Sequence, residues 1–216
     1  MSACQTKGRS VKTYSDYRRE LNEALQSSDL ESIDRVFAAR PDMREKQGRR
    51  PANWMHSIAL HYDAPVLRHF LTIGFDANER YGPDNISALV TAARRGRADL
   101  MQILLEAGAE MDVDFSVRNP LFAAIMQNET AAECVRLLLD AGIDPAASYK
   151  SPTMNDINAM AYALWNGLPH LAELIGRHQA DADDARFAVL MADAEAGAAR
   201  QRSGERRYSE WIPYSS

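Results

Sequence analysis

The sequence predicts an all-α solenoid of about five stacked helix-turn-helix repeats closed by a C-terminal capping helix, and three observations carry that reading. One phrase recurs every 34 residues, as Phe70-Leu71-Thr72-Ile73-Gly74-Phe75-Asp76, Leu104-Leu105-Glu106-Ala107-Gly108-Ala109-Glu110 and Leu138-Leu139-Asp140-Ala141-Gly142-Ile143-Asp144. A fixed period of this size describes units that stack, not a domain around a single pocket. Two weaker copies, Val36 to Asp42 and Ile175 to Asp181, extend the register. The glycine position then falls at Arg40, Gly74, Gly108, Gly142 and Gln179, at intervals of 34, 34, 34 and 37. A second phrase precedes the first: Ser87-Ala88-Leu89-Val90-Thr91-Ala92-Ala93-Arg94-Arg95-Gly96 in its clearest copy, with Asn53 to Ala59 before it and Asn119 to Ile125 after it.

Together the phrases resemble the T-P-L-H-x-A-A opening and the G-x-x-x-x-V-x-x-L-L-x-x-G-A-D close of the ankyrin repeat. The resemblance covers roughly residues 17–182 and is fullest from Asn85 to Asp112. It implies repeats near 17–48, 49–84, 85–118, 119–154 and 155–183 with a cap at 184–200. The whole domain then spans 15–200, between a flexible segment 1–14 and a polar, aromatic tail 201–216. Repeats one and five lack the opening Thr-Pro and the terminal glycine, which costs up to about 1 kcal/mol each if Arg40 and Gln179 are left-handed. A helical-hairpin array of another period is the alternative.

Each element has a local reason. Ser28-x-x-Glu31 and Thr130-x-x-Glu133 read as capping boxes that open helices, and Pro65 and Pro169 sit where a first turn needs no N–H. Ala92, Ala93, Ala123 and Ala124 are small enough on a first helix for the next repeat to approach closely. Leu100, Ile103 and Leu104 stripe a second helix at i, i+3, i+4. Gly74, Gly108 and Gly142 stop the second helices. Repeat four needs 17 residues from Ile125 to Gly142 where repeat three needs 15 from Ala93 to Gly108. A longer turn at Met126-Gln127-Asn128-Glu129 is therefore expected, with the preceding loop shorter by two. Asp184 to Ala192 reads as an amphipathic cap, a half-repeat with no second helix behind it.

Composition narrows the function. With 216 residues, 46% hydrophobic and 25% charged, the chain reads as folded and soluble, and no window nears 18 uninterrupted apolar residues. Met1 to Tyr14 has no apolar stretch like that of a secretory signal. Cys4 and Cys134 form neither a disulfide framework nor a metal cluster, so the cytoplasm is expected. Thirty acidic and 25 basic residues leave a net charge of −5, without the long basic stripe that nucleic-acid binding needs.

Catalysis finds no support in the motifs. His56 and His61 lie about 140° apart around a helix axis and cannot chelate one ion. The resemblance gives His56 a structural hydrogen bond instead. There is no Gly-rich phosphate loop, no G-x-S-x-G and no carboxylate pair inside an apolar stretch. Asp112 and Asp114 read as turn residues whose side chains bond the local backbone. No catalytic residue, metal, cofactor, membrane or small-molecule substrate is expected.

Recognition of another protein remains, and the resemblance places it on the concave side, formed by the loops between units and the ends of the first helices. Those ends carry Leu60-His61, Arg94-Arg95, Met126-Gln127 and Trp165-Asn166, and the loops carry Tyr81, Phe115 and Tyr149. Tyr, Trp and Arg are enriched at interface hot spots. For Phe115 and Tyr149 the alternative is packing of a loop against its neighbour, and for the arginines a solvated face. The tail around Trp211 either folds back or is itself a peptide ligand. Arginine outnumbers lysine 21 to 4, which points to a GC-rich bacterial source. Short free-standing bacterial proteins of this kind are commonly immunity-type inhibitors of a toxin or effectors aimed at a host. An acidic balance suits a basic toxin such as a nuclease. An adaptor or a regulatory scaffold is the other expectation.

Overall fold

The structure, a computed structural model, describes residues 12–47, 50–51, 53–127, 131–151 and 154–209. The chain divides into two compact units, Met1–Asn53 and Trp54–Ser216.

In the first unit, α1 (Tyr14–Ser27) begins at Thr13, whose side chain and that of Asp16 cap each other's backbone N–H. Then follow α2 (Leu30–Ala39), the short α3 (Asp42–Glu45), and β1 (Lys46–Gln47) paired antiparallel with β2 (Arg50–Pro51). Leu21, Ala24 and Leu25 of α1 and Ile33, Val36 and Phe37 of α2 form its core. The expected capping box at Ser28 is not formed. Ser28 is left-handed at φ 54° and ends α1, while Asp29 opens α2 by accepting from the Ser32 N–H at 3.1 Å. With only Ser28 and Asp29 between the two helices, the first residue stops α1 and the second starts α2. Arg40 carries no left-handed cost, because its φ is −139° and its guanidinium grips Asp42.

The second unit holds α4 (Trp54–His61), α5 (Ala64–Thr72), β3 (Arg80–Tyr81), β4 (Ile86–Ser87), α6 (Ala88–Arg94), α7 (Ala98–Glu106), α8 (Pro120–Ile125) and α9 (Ala131–Asp140). After these come β5 (Tyr149–Ser151), β6 (Met154–Ile157), α10 (Ala159–Trp165), α11 (Pro169–Ala180) and α12 (Asp184–Ser209). The first helices pack in succession, α4 on α6, α6 on α8, α8 on α10, and the second helices α5, α7, α9 and α11 form a parallel row behind them. The α6 run Ala88 to Ala93 is buried all round, because it meets a helix on each side and its own partner behind. Each second helix is buried along one stripe, as Leu100, Met101, Ile103 and Leu104 show.

Ser87, Asn119 and Asn158 cap the first helices with their side-chain oxygens, so repeat five replaces the lost threonine by an asparagine. At the far end, Gly108 adopts φ +82° and lets the Ala109 N–H reach the Leu104 carbonyl, the six-to-one bond that closes a helix. Gly74 and Gly142 repeat this. In repeat five the left-handed position moves from Gln179, which stays helical, to Asp181 at φ 50°. Five residues, 126–130, separate α8 from α9 where three, 95–97, separate α6 from α7. The longer connection in repeat four is thus present. Its residues 128–130, including the Thr130 cap, lie outside the described residues.

The terminal helix is longer than its expected cap at 184–200, running on to Ser209. Phe187, Leu190, Met191, Ala194, Ala198 and Gln201 recur on the face that meets α10 and α11, and the Gln201 Oε1 accepts the Asn155 N–H at 2.8 Å. That bond ties the helix to β6. Polar composition alone had marked 201–209 as tail, although Gln, Arg and Glu are good helix formers. Residues 210–216, with Trp211, lie outside the described residues.

Candidate protein-binding face

Each loop between repeats leans back over the first helix of the repeat before it. Tyr81, on β3, stacks on His56 of α4 with ring centroids 4.7 Å apart. Val117, in the strandless loop 112–118, accepts a hydrogen bond at 2.9 Å from Arg94 of α6. Tyr149, on β5, sets its ring edge-on to Phe122 of α8 at 4.9 Å. The same lean three times over makes one continuous face of loops and first helices.

Beneath it lies a polar lattice. His56 Nδ1 shares a 2.9 Å hydrogen bond with the Thr91 hydroxyl of the next repeat. Burial holds the His56 imidazole below its ordinary range, and the charges of His61 and Arg94 push it the same way. Its bond to Thr91 makes it a structural group that joins two repeats. Arg80 donates to Asp112 at 2.7 Å and to Glu110 at 3.3 Å, and Arg118 lies 3.3 Å from the same Asp112. Burial alone would raise the Asp112 carboxyl, but the Asp114 N–H, which it accepts at 2.9 Å, and the two arginines bring it below its usual value. Asn78 crosses in the same direction, accepting the Glu110 N–H at 2.8 Å.

The expected site residues separate on this frame. Tyr81 is 43% exposed and Phe115 58%, the latter with the Arg118 guanidinium 4.3 Å from its ring centre. Arg94, Arg95, His61 and Asn166 are exposed at the ends of their helices. Trp165 is half-buried, at the outer end of a ladder in which Phe122 stacks on Tyr162 at 4.6 Å and Tyr162 meets Trp165 at 5.7 Å. Tyr149 is a correction. It is buried, its hydroxyl donates to the Val113 carbonyl at 2.7 Å and accepts from Asn119 at 2.8 Å, and its ring is covered by Phe122. Packing against the neighbouring loop has absorbed it.

Val117, 37% exposed, escaped the sequence reading, while Met126, expected at the end of a first helix, is 63% exposed. Arg94, Met126 and Trp165 each stand seven residues after their helix caps Ser87, Asn119 and Asn158. Among the described residues no group of three His, Cys, Asp or Glu could hold a metal ion. The Cys134 thiol is buried, which pushes it up to about 11. No described helix is long and apolar enough to cross a membrane.

Comparison with known proteins agrees with this geometry. Residues 55–149 match the family model for ankyrin repeats in three copies. An ankyrin repeat domain-containing protein, SAT10, of Stachybotrys chartarum (strain CBS 109288 / IBT 7711) is 27% identical over 122 residues, which is 56% of this chain. The matched stretch is 6% of that protein's length. Ankyrin repeats generally bind other proteins. Residues 55–149 are a run of ankyrin repeats, and the fold they belong to is an all-α ankyrin-repeat solenoid.

Proposed function

We propose that the chain is a non-enzymatic module that binds a partner protein through the face of loops and first helices. One observation carries this reading. Of the five large hydrophobic side chains exposed among the described residues, four, Tyr81, Phe115, Val117 and Met126, belong to this face, and only Val189 of α12 does not. Apolar side chains gathered beside fixed arginines have the composition of an interface core. The narrower proposal is an immunity-type inhibitor that covers a cognate toxin in the cytoplasm. The alternatives are an effector or adaptor directed at host proteins and a regulatory scaffold.

The test is calorimetry with the product of the neighbouring gene. Arg94→Ala, Met126→Ala and Trp165→Ala should leave the melting temperature within a few degrees, while at least one weakens binding by about 2 kcal/mol. If all three bind like wild type while truncation after Arg202 abolishes binding, the recognition element is the tail and not this face. For the narrower proposal, co-expression with that product must relieve its toxicity, and loss of relief in the same variants links inhibition to the face.

A further inference from the structure

We propose that the partner segment taken by this face is acidic at one end and apolar at the other. Two or more carboxylates would sit on Arg94, Arg95 and His61, and one large apolar side chain would sit between Met126 and Trp165. The proposal rests on the reading of the face given above and adds its chemistry.

The helix ends carry the argument. The row contains Leu60 and His61 from α4, Arg94 and Arg95 from α6, Met126 and Gln127 from α8, Trp165 and Asn166 from α10. Not one of the eight is acidic. Arg80, Arg97 and Arg118 nearby are all matched to carboxylates, in Asp112 and Glu110, in Asp99 and Asp63, and in Asp112. Among the described residues Arg94 and Arg95 have no such partner. The one side-chain hydrogen bond of Arg94 among the described residues, to the Val117 carbonyl, goes to a neutral group, so it orients the guanidinium and leaves its charge uncompensated. The carboxyl end of α6 offsets only about half a unit of charge. A guanidinium held this way keeps free N–H groups in the fork geometry that suits a carboxylate.

The other half of the row differs in kind. Met126 is an exposed, adaptable thioether, and Trp165 is a half-buried ring backed by Tyr162. Helices packed side by side lie about 10 Å apart, so Met126 and Trp165 stand roughly 10 and 20 Å along the row from Arg94. An extended chain covers those distances in about three to six residues. The net charge of −5 does not oppose this pairing, because salt screens it beyond about 8 Å while the arginines act at contact.

The probe is a random dodecapeptide display library panned on the full chain, with selected peptides synthesised and titrated by calorimetry. Selected sequences should carry two or more Asp or Glu a few residues from a Leu, Ile, Phe, Met or Trp. Replacing both arginines by alanine should weaken binding about tenfold or more, increasingly so at low salt. Arg94→Glu should turn the selection toward Lys and Arg. Peptides that lose binding with Trp165→Ala but lack acidic residues, or that ignore the arginine variants, would overturn the acidic chemistry and leave the face standing. An empty selection, or peptides indifferent to Tyr81→Ala, Arg94→Ala, Met126→Ala and Trp165→Ala alike, would overturn both. Melting temperatures and far-UV circular dichroism show that each variant is folded.

Discussion

Asp112→Asn removes the less exposed of the two carboxylates, Asp112 and Glu110, that join the β3–β4 hairpin to the following loop, while an amide oxygen can still accept the Asp114 N–H. The carboxylate is 11% exposed and touches Arg80 at 2.7 Å and Arg118 at 3.3 Å, so the variant leaves two guanidinium groups, 24% and 18% exposed, without their shared partner. Exposed ion pairs contribute about 0–1 kcal/mol and breaking buried ones costs about 3–5, so a partly buried triad should cost roughly 2 kcal/mol. For a domain of this size that lowers the melting temperature by about 4–8 °C. The pH dependence has a definite sign. The Asp112 carboxyl lies below its ordinary value in the folded chain, so the unfolded chain binds the extra proton. Its contribution is therefore fully present above the unfolded value of about 4 and disappears as pH falls through the folded value. Urea denaturation of wild type and Asp112→Asn across pH 2–7 reads this directly. The gap between the two should be widest near neutrality and close in acid. A gap below about 0.5 kcal/mol at pH 7, or one that persists in acid, would refute the claim that this charge ties the two repeats together.

Two further substitutions test the packing. Ala93 is fully buried, so Ala93→Glu sets an unpaired carboxylate between stacked helices and should cost about 4 kcal/mol or more; an unchanged melting temperature would show that α6 is not packed on both sides. A Cβ on Gly197 would lie 2.9 Å from the Ala161 Cβ, an atom that cannot move without its helix, so Gly197→Leu should detach α12 from α10. Limited proteolysis would then cut after Arg200 or Arg202 while the preceding repeats stay protected, and equal protection of wild type and variant would contradict the close approach.

What the sequence by itself determined is what is written locally and then repeated. The 34-residue period, the terminating glycines, the helix-opening prolines and the longer connection in repeat four were all legible, because each depends on residues within one or two turns of each other. The side-chain amides that cap α8 and α10 are equally local, yet only the structure identified them. Where two local signals competed, only packing chose between them: Ser28 ends α1 and Asp29 opens α2, although the capping pattern could begin at either. Segment 201–209 was helical in propensity but polar in composition, and Gln201, held against β6, decided for helix.

Only the tertiary structure decided which aromatic residues meet water. Tyr81, Phe115 and Tyr149 occupy similar loops, yet Tyr149 meets Phe122 and Asn119 of its own repeat and the Val113 carbonyl of the preceding one and is buried, while Phe115 meets the Arg118 guanidinium and stays exposed. The row that runs from His61 and Arg94 to Met126 and Trp165 likewise exists only once four helices stand side by side. A repeat's own sequence sets its helices and turns, but the exposure of its surface depends on the residues of its neighbours, about 34 positions away in the chain.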